Sequence, residues 1–132
     1  MNYELKKGYP VKDFGIPTKR YVQTLTISDD PELIELYKAC HTPEGNWKEI
    51  RDGIREVGIL EMEIYIHGNI LTMIVETPMD FDWDTAMARL ATLPRQAEWE
   101  AHVAGYQGCD PDAPSDRKWQ LMERMFRLYN QC

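Results

Sequence analysis

From Leu60 onward, Leu60, Met62, Ile64 and Ile66 alternate with Glu61, Glu63 and Tyr65, and His67-Gly68-Asn69 then leads into Ile-Leu-Thr-Met-Ile-Val-Glu76. A period of two on both sides of a glycine-containing turn predicts an antiparallel hairpin, because successive strand side chains point to opposite faces. This hairpin is the clearest local signal in the chain. Arg20 to Ile27, Arg-Tyr-Val-Gln-Thr-Leu-Thr-Ile, has the same alternation and β-branched content and predicts a first strand.

Helical signals fill the intervals. Asp30 is placed as an N-cap with Pro31 at the first helical position and Glu32 at the positive end of the dipole, and the helix is expected to run to about His41. Trp47, Ile50, Ile54 and Val57 recur at helical spacing, with Gly58 as a left-handed stop. Asp82 caps a segment carrying Trp83, Met87 and Leu90, and Pro94 opens another carrying Trp99, Val103 and Tyr106. Residues 107–117 hold one glycine, two prolines and three aspartates and read as a solvated loop long enough to act as a lid.

The stretch Lys118 to Leu128 fits a helix through Leu121, Met125 and Leu128, and fits a strand through the alternation of Met122, Arg124, Phe126 and Leu128. Read as a strand, it completes β-α-(α)-β-β-α-(α)-β, an α+β split βαβ arrangement of four antiparallel strands with helices on one face. The uncovered face then predicts a homodimer built back to back through the sheets. Residues 1–19, with Gly8, Pro10, Gly15 and Pro17 and no period, are expected to form an irregular arm, and residues 20–132 the domain.

Charge and cysteine content exclude several classes. Asp and Glu outnumber Lys and Arg by 22 to 15, a net charge of −7, which disfavours nucleic acid and anionic lipid as partners. Cys40, Cys109 and Cys132 show no metal-site spacing and read as free thiols in a reducing cytoplasm. No apolar run approaches the ~20 residues of a membrane span, and the polar start Met-Asn-Tyr-Glu-Leu-Lys-Lys does not resemble a signal peptide. Neither a metal nor an organic cofactor is expected.

Tyr37 and His41, four residues apart on the first helix, share a face, and with Tyr65 and Trp47 they offer what proton transfer on a polar ring needs. The plain reading of such a pair is a half-buried contact at a helix end. His67 and His102 are expected to be solvated, and Lys48 to Glu56 is expected to be an outward, ion-paired helix face.

The ordered set Arg20-Tyr-Val-Gln-Thr-Leu-Thr-Ile, Leu36-Tyr37-Lys-Ala-Cys-His41, Trp47 with Glu49, Gly58-Ile, Met62-Glu-Ile-Tyr65, Met73-Ile-Val-Glu76, Gln96-Ala-Glu-Trp99 and Trp119-Gln-Leu-Met-Glu123-Arg-Met-Phe126 resembles the L-rhamnose mutarotase family, including its L-fucose branch. That resemblance implies a ferredoxin-like fold, a strand for the last element, a dimeric α/β barrel, and anomer interconversion of a 6-deoxy-L-hexose without a cofactor. Carried over residue by residue, it implies that Tyr37, His41, Tyr65 and Trp99 line the sugar pocket, where imidazole and phenol chemistry makes His41, Tyr37 and Tyr65 the expected catalytic groups and the indole of Trp99 a sugar-binding ring. Trp47 and Glu76 are further substrate-binding candidates. The family's shorter interval between histidine and tryptophan is lengthened here to His41-Thr-Pro-Glu-Gly-Asn-Trp47, and the double tryptophan often seen on the later helix is only Trp99. A cofactor-free monooxygenase or small-ligand-binding module of the same architecture is the competing expectation, favoured by a wholly apolar pocket.

Overall fold

In the computed structural model, which describes residues 5–129, four antiparallel strands form one sheet in the order β2-β3-β1-β4. They are β1 (Thr18–Thr26), β2 (Glu61–His67), β3 (Ile70–Pro78) and β4 (Gln120–Leu121). The helices are α1 (Pro31–Ala39), α2 (Lys48–Glu56), α3 (Trp83–Leu90), α4 (Gln96–Gln107) and the short α5 (Ser115–Lys118). This is the ferredoxin-like α+β split βαβ arrangement expected when the last element is taken as a strand, as the family resemblance implies.

The hairpin turns through Gly68 at φ +62°, a conformation that a side chain would strain. The register pairs Ile64 with Met73 and Met62 with Val75, and β1 continues the row with Gln23 opposite Met73 and Tyr21 opposite Val75. Directly opposed residues share a face, so this row lies under the helices, where Leu71, Met73, Val75 and Thr77 are buried. Tyr65, Thr72, Ile74 and Val22 therefore point to the other, open face.

Asp30 caps α1 by accepting hydrogen bonds from the main-chain N–H of Glu32 and Leu33, at 2.9 and 3.4 Å. The helix ends at Ala39, so Cys40 and His41 sit in the turn that follows. Gly58, at φ +101°, stops the chain after α2 as its position predicts. Asp82 caps α3 through the N–H of Thr85. Tyr37, Ile50, Trp99 and Val103 join the sheet in one core, with α1 and α2 packed on α4.

The last strand is far shorter than expected. Only Gln120 and Leu121 pair with β1, and Met122 N–H adds a bond to Val22 O at 2.7 Å. Beyond it the chain runs on outside regular structure, with Met125 93% and Phe126 69% exposed. The alternation of apolar residues in 122–128 is present, but among the described residues there is no second layer for it to cover. Cys132 lies outside the described residues.

Candidate active site

The turn after α1 sets His41 by a main-chain contact. Its Nδ1 lies 2.8 Å from the carbonyl oxygen of Tyr37. A carbonyl only accepts, so Nδ1 carries the proton and Nε2 keeps its lone pair. The Cys40 Sγ–H donates to the same oxygen at 3.0 Å. Around the imidazole, the Tyr37 ring stands at 4.5 Å and Trp99 meets it edge-on at 5.6 Å. Burial lowers the pKa of His41, more than the Tyr37 hydrogen bond raises it, so the ring is neutral near pH 7.

His41 lines a cavity of 630 Å³ bounded by α2, β2 and the N-terminal arm. One wall is aliphatic, formed by Ile54, Ile59, Met62 and Ile64. Opposite chemistry comes from Asn46, Arg51 and Glu61, and the arm contributes Lys12 and Phe14. Arg51 donates to Asn46 Oδ1 at 2.7 Å, which holds its guanidinium at the cavity. A neutral imidazole with a free nitrogen, beside hydrogen-bonding groups and an apolar wall, suits proton transfer on an amphipathic ring such as a monosaccharide.

The six residues singled out from the sequence do not converge as expected. Tyr37 is 3% exposed, and its hydroxyl accepts a hydrogen bond from Gln107 Nε2 at 3.3 Å inside the core. Burial, above all, holds that phenol well above its ordinary pKa. Its hydroxyl is not part of the cavity wall, whereas its main-chain oxygen orients His41. Trp99 packs between His41 and Trp47, whose rings lie 5.6 and 5.1 Å from it. Trp47 in turn is covered by the Arg95 guanidinium at 4.0 Å and stacks on His102 at 5.3 Å. His102, expected to be solvated, is exposed but forms part of this aromatic ladder.

Tyr65 lies on the open face, where its ring meets Tyr9 of the arm at 5.6 Å. Its separation from His41 follows from strand parity: Met62 and Ile64 occupy the face that reaches the cavity, and Tyr65 the reverse. Glu76 is on that same open face, accepting from Thr18 Oγ1 at 2.7 Å. The loop expected as a lid lies elsewhere, since Pro111 to Asp116 border a separate 300 Å³ cavity against α3 and α4.

Sequence reasoning passed over Arg51 and the arm. The stretch Lys48 to Glu56 does carry the Lys48–Asp52 and Arg55–Asp52 ion pairs, at 2.7 and 3.6 Å, but Arg51 turns from that face to the cavity. Position 51 is one helical turn before Arg55 and one residue after the buried Ile50, which is the flank of the amphipathic stripe.

Comparison with known proteins agrees with this frame. A model of the L-rhamnose mutarotase family matches residues 20–128. The chain is 33% identical over 110 residues to an L-fucose mutarotase of Xanthomonas campestris pv. campestris, covering 83% of this chain and 88% of that protein. A Dictyostelium discoideum protein named as a UPF0734 protein is 32% identical over 114 residues, covering 83% and 90% of the two chains. A crystal structure of an L-rhamnose mutarotase from Formosa agariphila has the same fold, with a TM-score of 0.62 at 19% identity, covering 83% of this chain and 98% of that one.

Proposed function

Because the chain belongs to the L-rhamnose mutarotase family, isomerases that interconvert sugar anomers, we propose that it equilibrates the α and β forms of a 6-deoxy-L-hexose, L-fucose or L-rhamnose, with His41 as the proton-transfer group. The observation that carries the assignment is the neutral imidazole of His41 lining the 630 Å³ cavity, its Nδ1–H tied to Tyr37 O. Nε2 removes the proton from the anomeric hydroxyl. The C1–O5 bond breaks as the C1 carbonyl forms, and O5 takes the proton back from the imidazolium, directly or through one water. Rotation about C1–C2 presents the other face of the aldehyde, and the same steps in reverse close the ring. No atom or electron is gained or lost overall.

In this reading the aliphatic wall of Ile59, Met62 and Ile64 receives the methyl-bearing face of the sugar, and Asn46 and Arg51 face its hydroxyls. Tyr37 acts through its main-chain oxygen, and Trp99 and Trp47 back the imidazole as a packed support. Tyr65 and Glu76, on the open face, belong to the dimer rather than to the cavity. Support for the homodimer comes from that half-exposed face and from Met125 and Phe126, whose exposure a second copy would remove. The thiols of Cys40 and Cys109, free among the described residues, support a cytoplasmic setting.

Saturation transfer between the α and β anomeric protons of L-fucose, L-rhamnose and D-glucose tests the activity. Exchange faster than buffer for a 6-deoxy sugar, lost in His41→Ala, is the expected result. Exchange no faster than buffer for every sugar overturns the proposal.

A further inference from the structure

Three cations and one carboxylate stand around the cavity that contains His41: Lys12, Arg51 and Arg55 against Glu61. This excess of positive charge occurs in a chain whose net charge is −7. Arg55 is answered by Asp52 at 3.6 Å, and Asp52 is answered also by Lys48. Arg51 is different: it is half-buried, its polar contacts are the carbonyl groups of Asn46, and among the described residues no carboxylate pairs with it. Asp52, already paired with Lys48 and Arg55, acts on Arg51 only as a neighbouring charge, so the guanidinium, held by carbonyl groups, keeps the capacity to bind an anion.

Lys12 comes from the arm, outside the residues 20–128 that the family model matches. The positive edge of the cavity is therefore assembled partly by a segment additional to the family's domain. An arginine fork fixed on one side by Asn46 and open on the other fits a planar carboxylate or a phosphate oxygen pair.

We propose that the His41 cavity also takes anionic aldoses, sugars bearing a carboxylate or a phosphate ester, and equilibrates their anomers in preference to the neutral parents. This rests on the mutarotase reading, since the reacting carbon and His41 are the same. An anionic sugar sits turned from the 6-deoxy pose, its C–H face still on the aliphatic wall but C6 directed to Arg51, which binds the anion while Lys12 and Arg55 supply attraction from the rim. The anomeric step is unchanged, and the anion is a handle that takes no part in bond making.

The experiment compares matched sugars by anomeric saturation transfer, counting only exchange above buffer. L-Galacturonate, L-fucose and L-galactose differ only at C6, as carboxylate, methyl and hydroxymethyl. D-Glucuronate, D-glucose 6-phosphate and D-glucose form the second set. The expected result is a kcat/KM for an anionic sugar at least about tenfold above that of its neutral parent, shrinking as salt is raised. A preference confined to the uronates assigns a carboxylate ligand, and one confined to the 6-phosphate assigns a phosphate.

Arg51→Gln should collapse the anionic-to-neutral ratio towards one, and Lys12→Gln, on the arm and clear of the folded core, should reduce it by a smaller factor. Equal rates for anionic and neutral sugars, or a ratio untouched by Arg51→Gln, overturn the inference and leave the mutarotase reading standing. No exchange with any sugar overturns the mutarotase reading itself.

Discussion

The Nδ1 of His41 and the main-chain oxygen of Tyr37 are 2.8 Å apart, one helical turn separated in the chain, and this contact selects the imidazole tautomer. A catalytic role for the histidine thus depends on the backbone of the tyrosine. Removing the imidazole in His41→Ala should lower the anomer exchange rate by ~10²–10⁴-fold, as measured by saturation transfer.

Tyr37→Phe separates the phenol from the carbonyl. The substitution removes the acceptor of the Gln107 hydrogen bond while leaving Tyr37 O in place. We expect a stability loss of about 1 kcal/mol in urea denaturation and exchange within about twofold of the parent. A hundredfold loss of exchange would instead make the phenol a proton donor.

Acidification acts on His41 in two ways. Its pKa in the folded protein is lowered, chiefly by burial, so the base form persists below the ordinary value and exchange declines only as pH falls through the lowered pKa. The unfolded chain, with a histidine pKa of ~6.5, binds more protons than the folded one below that pH. The stability contribution is therefore complete above ~6.5 and is lost as pH falls towards the folded value. Paired pH profiles of exchange rate and denaturation midpoint check both signs, and His41→Ala should flatten this histidine's share of the second.

Lys118 and Glu100 form a buried ion pair with Nζ 2.9 Å from Oε1, and Lys118 also donates to Glu100 O at 2.8 Å. Gln96 occupies the other carboxylate oxygen at 2.7 Å. Lys118→Ala should cost ~3–5 kcal/mol by stranding the carboxylate, and Lys118→Met with Glu100→Gln should cost less. Chemical denaturation of the two variants side by side gives the comparison.

Phe126→Asp, placed on the exposed run after β4, should shift the sedimentation coefficient towards that of a monomer without changing the far-ultraviolet circular dichroism. An unaltered dimer would remove this segment from the interface. A parent protein that sediments as a monomer would remove the dimer itself.

The hairpin, the Asp30 and Asp82 caps and the Gly58 stop were legible because each is a local rule with one physical solution. The last element was not, because 122–129 carries strand alternation but, among the described residues, its main-chain pairing to β1 goes no further than the Met122 N–H bond to Val22 O. At the site, helical spacing did join Tyr37 to His41, but spacing says nothing of which atom is used, and here it is a carbonyl and not a hydroxyl. Tyr65 was expected beside His41 although its alternation with Met62 and Ile64 already assigned it to the reverse face. Arg51 was hidden in a run of charges whose neighbours do pair on the outside.

The parity of β2 also bears on how such a site can diversify. Deleting one residue between Gly58 and Glu61 would rotate the strand by a pleat, exchanging Met62 and Ile64 for Glu63 and Tyr65 at the cavity wall. Chemistry at this cavity is thus addressable by a length change in a connector, with no new side chain introduced.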